Sequence, residues 1–155
     1  MSVQHLTIED ATTWWQAGDR RVFLADILDS SNSASMSVGF ARYDKGATNE
    51  WVVTYDEALI VTKGVFSVRS ADGVTTARAG EVIFLTEGTR VVYEGEEDGT
   101  EVIYVTFPHW WDTHRESEHA HLLAKLRPVR GATRLMPSLP RRRAAAPSGA
   151  SEAAP

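Results

Sequence analysis

Apolar and polar positions alternate with a period of two along most of the chain, in short runs broken by turn-forming clusters. That period places successive side chains on opposite faces of a strand, one face for a core and one for solvent. The first such run is Val22–Leu28, followed by a serine-rich loop at residues 30–35. From Met36 the runs come closer together. Residues 36–43 alternate, 44–49 read as a turn, and 51–61 are dense in β-branched and aromatic residues up to the break at Lys63 and Gly64. Residues 65–69 close on Ala71, Asp72 and Gly73, a hairpin signal. Further runs at 74–78, 82–85, 90–93 and 101–107 are separated by Gly80, by Glu87 with Gly88, and by the acidic turn at 95–99, and Pro108 ends the series.

Helical spacing is confined to the flanks. Thr7 with Asp10 three residues later is an N-cap signal for a short N-terminal helical segment. Residues 113–126 carry the other helical stretch. Many short strands with no interleaved helices predict an all-β domain, a single antiparallel barrel of jelly-roll type. The expected organisation is an N-terminal segment with the first strand over 1–35, the barrel core over 36–111, a C-terminal helix over 112–126 and a disordered tail over 127–155. In that tail, prolines sit among Arg, Ala, Ser and Gly, a composition that cannot bury a core.

Composition narrows function more than fold. At 155 residues, 43% hydrophobic and 24% charged, the chain suffices for one domain with its own core. Without cysteine there is no disulfide, thiolate ligand or cysteine nucleophile. The opening residues lack a basic segment leading into an apolar run, and no apolar stretch approaches a membrane span. Both predict a cytoplasmic protein with no membrane partner. The net charge of −5 is unevenly divided: from Leu126 onward six arginines face one glutamate, a net of +5, which leaves −10 on the body. So acidic a body repels phosphate backbones, and no nucleic-acid partner is expected for it.

Two strand-turn units carry the specific signal. Glu57 is followed after six residues by Gly64, and Gly80 after five by Thr86, Glu87 and Gly88. Together they resemble the two motifs of the cupin family, small β-barrels whose strands enclose a pocket. In metal-binding cupins a His-x-His pair precedes that glutamate and a third histidine follows the second motif's glycine. Here the pair falls on Trp51 and Val53, or on Glu50 and Val52, depending on whether three or four residues precede Glu57, and the third falls on Val91. One carboxylate without imidazoles is a poor ligand set for zinc, iron or manganese, so neither metal nor cofactor is expected.

The resemblance narrows to a subfamily. Thr54-Tyr55-Asp56-Glu57, Met36-x-Val38-Gly39-Phe40, Ala79-Gly80-Glu81-Val82-Ile83-Phe84 and Tyr104-Val105-Thr106-Phe107-Pro108-His109-Trp110 are similar to the pattern of ethanolamine-utilization EutQ-type cupins, over about half the chain. The resemblance implies a dimeric cupin barrel, linked to bacterial microcompartment metabolism and to an acetate kinase activity. Family members usually carry Pro-Lys-Gly where this chain has Thr86-Glu87-Gly88. A glutamate in place of that lysine counts against phosphate chemistry, and no Walker-type loop stands elsewhere in the chain.

Among candidate residues Glu57 comes first. It shares a strand face with Tyr55, Leu59 and Val61, so it is expected to point inward near the barrel mouth. Apolar surroundings raise a carboxyl pKa toward what a general acid or base needs near neutrality. The alternative is a hydrogen bond within a rigid barrel wall. Tyr55 offers a hydroxyl to a developing oxyanion, or packs across strands. Asp56 is expected outside, as a partner for Lys or Arg. Glu50 and Trp51 occupy the vacated ligand region, and Tyr43, Tyr93 and Tyr104 fall on inward faces, all five as substrate-binding candidates. His114, His119 and His121 read as solvated helix residues, and His109, Trp110 and Trp111 as a cover on the barrel edge. Arg141, Arg142 and Arg143 read as a solvated basic patch.

The sequence thus points to a metal-independent cupin-type enzyme acting on a small organic molecule by acid–base chemistry of isomerase, lyase or cyclase type. Glu57 moves the proton, Tyr55 holds the oxyanion, and Trp51, Tyr93 and Tyr104 enclose the substrate. The alternatives are a non-catalytic protein of a microcompartment-type pathway and acetate-kinase-type chemistry. A homodimer is expected, because pairing protects exposed edge strands.

Overall fold

A computed structural model describes residues 3–129 of the chain. The strands are β1 (Trp15–Ala17), β2 (Val22–Leu28), β3 (Ser37–Tyr43), β4 (Thr48–Val52), β5 (Asp56–Lys63), β6 (Val65–Ser70), β7 (Gly73–Arg78), β8 (Val82–Leu85), β9 (Arg90–Gly95), β10 (Thr100–Phe107) and β11 (Leu126–Pro128). They form a seven-stranded sheet in the order β11-β1-β2-β3-β10-β5-β8 and a four-stranded sheet in the order β4-β9-β6-β7. Neighbours in both sheets are antiparallel. The all-β barrel legible in the alternation is therefore present, with its main core between the sheets. On β5 the period of two sends Glu57, Leu59 and Val61 inward and leaves Asp56 exposed. The N-terminal segment opens on one 3-10 turn, Ile8–Asp10. There Thr7 Oγ1 accepts from the Glu9 amide at 3.2 Å, and the Asp10 carboxylate accepts from the Thr7 amide at 2.6 Å.

The structure corrects the sequence reading in four places. The run expected as one strand over 51–61 is two, because the chain leaves the four-stranded sheet at Val52 and joins the other at Asp56. The crossing is fixed by backbone bonds from Val53 N to Thr89 O (3.0 Å) and from Gly88 N to Val53 O (2.7 Å). Thr48 and Asn49, read as turn, belong to β4. The helix expected over 112–126 is a single α-helix, α1 (Trp110–Arg115), then a 3-10 stretch at Ala120–Lys125. The Ser117 hydroxyl bonds the His114 carbonyl at 2.7 Å at the break, offering the backbone a local partner that competes with helix continuation.

The fourth correction concerns the ends of the barrel. β2 pairs along β3, so the expected boundary at residue 36 falls inside one sheet. Arg127 and Pro128, assigned to the tail, pair with Gln16 and Trp15 on β1. Arg127 reaches the Gly18 carbonyl at 2.6 Å and Asp19 at 2.7 Å, and Val129 N bonds Trp14 O at 2.8 Å. The remaining tail, with Arg141, Arg142 and Arg143, lies outside the described residues.

One face of the larger sheet departs from the alternation rule. Across its outer surface the register aligns Val38, Val105, Ala58 and Phe84 in one row, and Phe40, Ile103, Ile60 and Val82 in the next. Phe84, Val82 and Phe107 are 64%, 58% and 59% exposed. A solvated antiparallel face would be polar at these positions.

Candidate functional site

Between the sheets lies a small cavity of about 60 Å³ that opens at a mouth. Leu59, Phe66 and Val102 give it apolar walls, and Tyr43, Trp51, Tyr55, Glu57, Tyr93 and Tyr104 all line it. The candidates come from five strands and the β4–β5 crossing, so the fold brings together what the sequence scatters. Glu50 is the exception. The period of two on β4 turns Asn49 and Trp51 inward and leaves Glu50 exposed on the outer side, where Lys125 bonds its backbone carbonyl. Glu50 is thus not a cavity residue, and the buried Asn49 takes the polar place assigned to it.

Glu57 is buried, and Tyr93 donates to its Oε1 at 2.7 Å. Burial pushes its pKa up from 4.5 to about 7, against the lowering effect of that hydrogen bond. Burial and the neighbouring Glu57 charge push the Tyr93 and Tyr55 phenols well above their ordinary range, so both remain proton donors. Tyr93 spends its proton on Glu57. The Tyr55 oxygen accepts from Trp51 Nε1 at 2.9 Å, and its own proton goes to no described residue. The cavity therefore holds one near-neutral carboxyl and two tyrosines, Tyr43 and Tyr55, whose phenol protons go to no described residue.

A second carboxylate–tyrosine pair, missed in the sequence, stands at β2. Tyr104 donates to Asp26 Oδ1 at 2.5 Å, and Trp110 Nε1 donates to the same oxygen at 2.9 Å. Burial raises the Asp26 pKa to about 6; the two hydrogen bonds lower it, and the charge of Asp29 adds to the rise. An Asp on the same strand face as Leu24, inside an apolar run, was the available signal. Gly39 makes the pair possible, since it lies between Asp26 and Tyr104 in register, and a Cβ there would stand 2.1 Å from the Tyr104 hydroxyl. Gly39→Ala is expected to break the pair and destabilise the protein by about 1–3 kcal/mol, read as a lower urea midpoint.

Two further expectations are revised. Asp56 is exposed as expected, but its partner is the Glu87 backbone amide at 2.9 Å rather than a cation. His114 is fully buried rather than solvated, stacked on Trp51 with ring centroids 4.2 Å apart, and neither ring nitrogen finds a hydrogen-bond partner among the described residues. Helix α1 packs that face onto the barrel instead of presenting it to water. Burial lowers the His114 pKa from 6.5 to about 4. Since the unfolded chain takes up this proton first, stability is full above pH 6.5 and falls as the pH drops toward 4. Wild type is expected to lose on the order of 2 kcal/mol more than His114→Leu across that window, measured by urea unfolding.

The positions aligned with cupin metal ligands do not fit a metal. Val52, Val53 and Val91 are buried and apolar, Trp51 gives its indole N–H to Tyr55, and Glu50 faces away. Among the described residues no three His, Asp or Glu side chains gather into a ligand set.

A family model described as ethanolamine utilisation protein EutQ matches residues 9–113. A curated relative, an acetate kinase EutQ of Salmonella typhimurium strain LT2, is 30% identical over 92 residues, which are 59% of this chain and 39% of that protein. The chain thus spans about two fifths of the relative's length. A crystal structure of an ethanolamine utilization protein Q from Salmonella typhimurium LT2 superposes with a TM-score of 0.53 at 31% identity, covering 57% of this chain and 70% of that one. An RmlC-like cupin from Shewanella frigidimarina superposes with a TM-score of 0.56 at 16% identity, over 72% of this chain and 96% of that one, a likeness of fold alone.

Proposed function

Because the chain belongs to the EutQ family of cupin-fold proteins, we propose that its barrel is a metal-independent acid–base catalyst acting on a small organic molecule. The observation that carries this is Glu57, buried beside a phenol donor, with its pKa brought to about 7. A carboxyl in that range can take a proton from a carbon acid and return it elsewhere on the same molecule. As the carbanion's charge moves to the adjoining carbonyl oxygen, Tyr55 donates its uncommitted proton as a hydrogen bond. Leu59, Phe66 and Val102 keep water from the reacting carbon. Proton abstraction of this kind underlies isomerase, lyase and cyclase reactions alike.

The test needs no prior substrate. Small carbonyl compounds are incubated with the protein in deuterium oxide, and proton NMR follows deuterium entering the position next to the carbonyl. Wash-in that depends on Glu57 supports the proposal. No wash-in across keto acids, hydroxy ketones and sugar acids overturns it.

A second reading follows the name of the curated relatives, acetate kinase EutQ, in a pathway of ethanolamine utilisation. No Lys or Arg lines the barrel cavity to neutralise phosphates. Phosphorylation of acetate by ATP and magnesium, at a rate that survives Glu57→Gln, would favour this reading over ours. A non-catalytic role beside pathway or microcompartment enzymes predicts neither activity. A homodimer is part of our proposal, supported by the apolar outer face around Phe84. So is a cytoplasmic location; no helix among the described residues is long and apolar enough to cross a membrane.

A further inference from the structure

Trp110, which lines the barrel cavity, also lines a second, open concavity of about 280 Å³. This concavity is built by the segment leading into β1, the loop after β2 and the start of α1. Trp15, Trp110 and Trp111 line it together with Asp26 and Asp29. The Trp15 and Trp111 rings lie 5.5 Å apart at 30°, and Trp110 meets Trp111 edge-on at 5.4 Å. Trp15 and Trp111 are half-buried, leaving part of each ring to the opening.

Both carboxylates are half committed. Asp26 uses Oδ1 for Tyr104 and Trp110, and Asp29 uses Oδ1 for the Ser31 amide (2.8 Å) and hydroxyl (2.5 Å). The Oδ2 of each takes no hydrogen bond from a described residue. No Lys or Arg lines the groove, and His109, the nearby group that eases the charge on Asp26, bonds the Ser33 carbonyl through Nε2 at 2.9 Å. Two carboxylates and three indoles lining one groove, with an oxygen of each carboxylate bonded to no described donor, complement an organic cation. Indole attracts a cation over its ring, and carboxylate oxygens accept charge-assisted hydrogen bonds from N–H groups.

We propose that this groove binds a small primary alkylammonium, its N–H groups on the open oxygens of Asp26 and Asp29 and its carbon chain along Trp15 and Trp111. The site is separate from the acid–base chemistry assigned to Glu57 and stands or falls without it. It shares Trp110 with the barrel wall, and through Asp26 it touches Tyr104, so an occupant would be sensed inside the barrel.

The experiment titrates the full chain, labelled with nitrogen-15, with n-butylammonium chloride against 1-butanol, which has the same carbon chain and no charge. Sodium chloride controls for ionic strength. The indole N–H resonances of Trp15 and Trp111 are expected to shift and saturate with a dissociation constant of about 1–10 mM, with 1-butanol at least about 10-fold weaker. Asp26→Asn keeps an acceptor for Tyr104 and Trp110 while removing the charge, and is expected to weaken binding about 5-fold or more. Asp29→Asn, in an exposed loop, gives the same reading should the first variant not fold. Glu57→Gln should leave the titration unchanged. Equal binding of 1-butanol, shifts that do not saturate by about 100 mM, or unchanged affinity in the folded Asn variants would overturn the proposal.

Discussion

Glu57→Gln is expected to cut turnover at least about 100-fold and, above pH 7, to make the protein more stable. Both effects come from one carboxyl. Its pKa rises from 4.5 in the unfolded chain to about 7 in the barrel, so the folded state holds the proton more tightly. The stabilising contribution of that proton is therefore complete below pH 4.5 and is lost as the pH climbs through 7. Once ionised, the buried carboxylate costs up to about 3 kcal/mol. Glutamine never ionises, and its amide oxygen can still accept from Tyr93. Urea midpoints of variant and wild type should converge toward pH 5 and separate, in favour of the variant, near about pH 8.5. Deuterium wash-in by wild type should rise with pH and level off above about 7, as the base form fills. A Glu57 that served only as a wall hydrogen bond would give unchanged catalysis and a less stable variant, and that pair of results would end the proposal.

Phe84→Glu is expected to convert a dimer into a folded monomer. Phe84 is 64% exposed on β8, the edge strand of the larger sheet, and its row continues through Ala58, Val105 and Val38. The parallel row of Val82, Ile60, Ile103 and Phe40 widens the apolar surface. A contiguous apolar face on a sheet edge invites a partner, and in the proposed homodimer an identical copy would cover it by two-fold symmetry, each Phe84 meeting the same patch opposite. A glutamate there would have to shed its hydration against a hydrocarbon surface, at a cost of several kcal/mol for each chain. Light scattering should report twice the chain mass for wild type at about 50 µM and one chain mass for the variant, with unchanged far-ultraviolet dichroism. Wild type running as a monomer at that concentration would remove dimerisation from the proposal.

The period-two alternation made the barrel legible, and the glycine-punctuated motifs placed Glu57 and Tyr55 on its inner wall. Tyr43, Tyr93 and Tyr104 followed from the same parity, and Trp51 from its alignment with a vacated ligand position of the motif. The failures share a cause in parity and pairing across distance. Glu50 and Asn49 differ by one position, and aligning Glu50 with a ligand of a related motif overrode the strand's own period. Asp26 lies in a strand that the sequence shows plainly, but its partners Tyr104 and Trp110 come 78 and 84 residues later in the chain, and only the sheet order brings them together. His114 looked polar on a polar helix. Trp51, which covers it, sits far away in sequence and left no local signal.

The pairing of β1 with β11 has a consequence for how the chain could be cut and rejoined. Trp15 lies opposite Pro128, so the two borders of the barrel run side by side. A circular permutant joining residue 129 to residue 12 through a short glycine-serine linker has almost no gap to span, while the exposed Ala71–Asp72 hairpin tip offers a place for new termini. In such a molecule the two shortest strands of the larger sheet, β1 and β11, become one covalent hairpin. The edge that now closes through contacts more than 100 residues apart in sequence would then close as a local event.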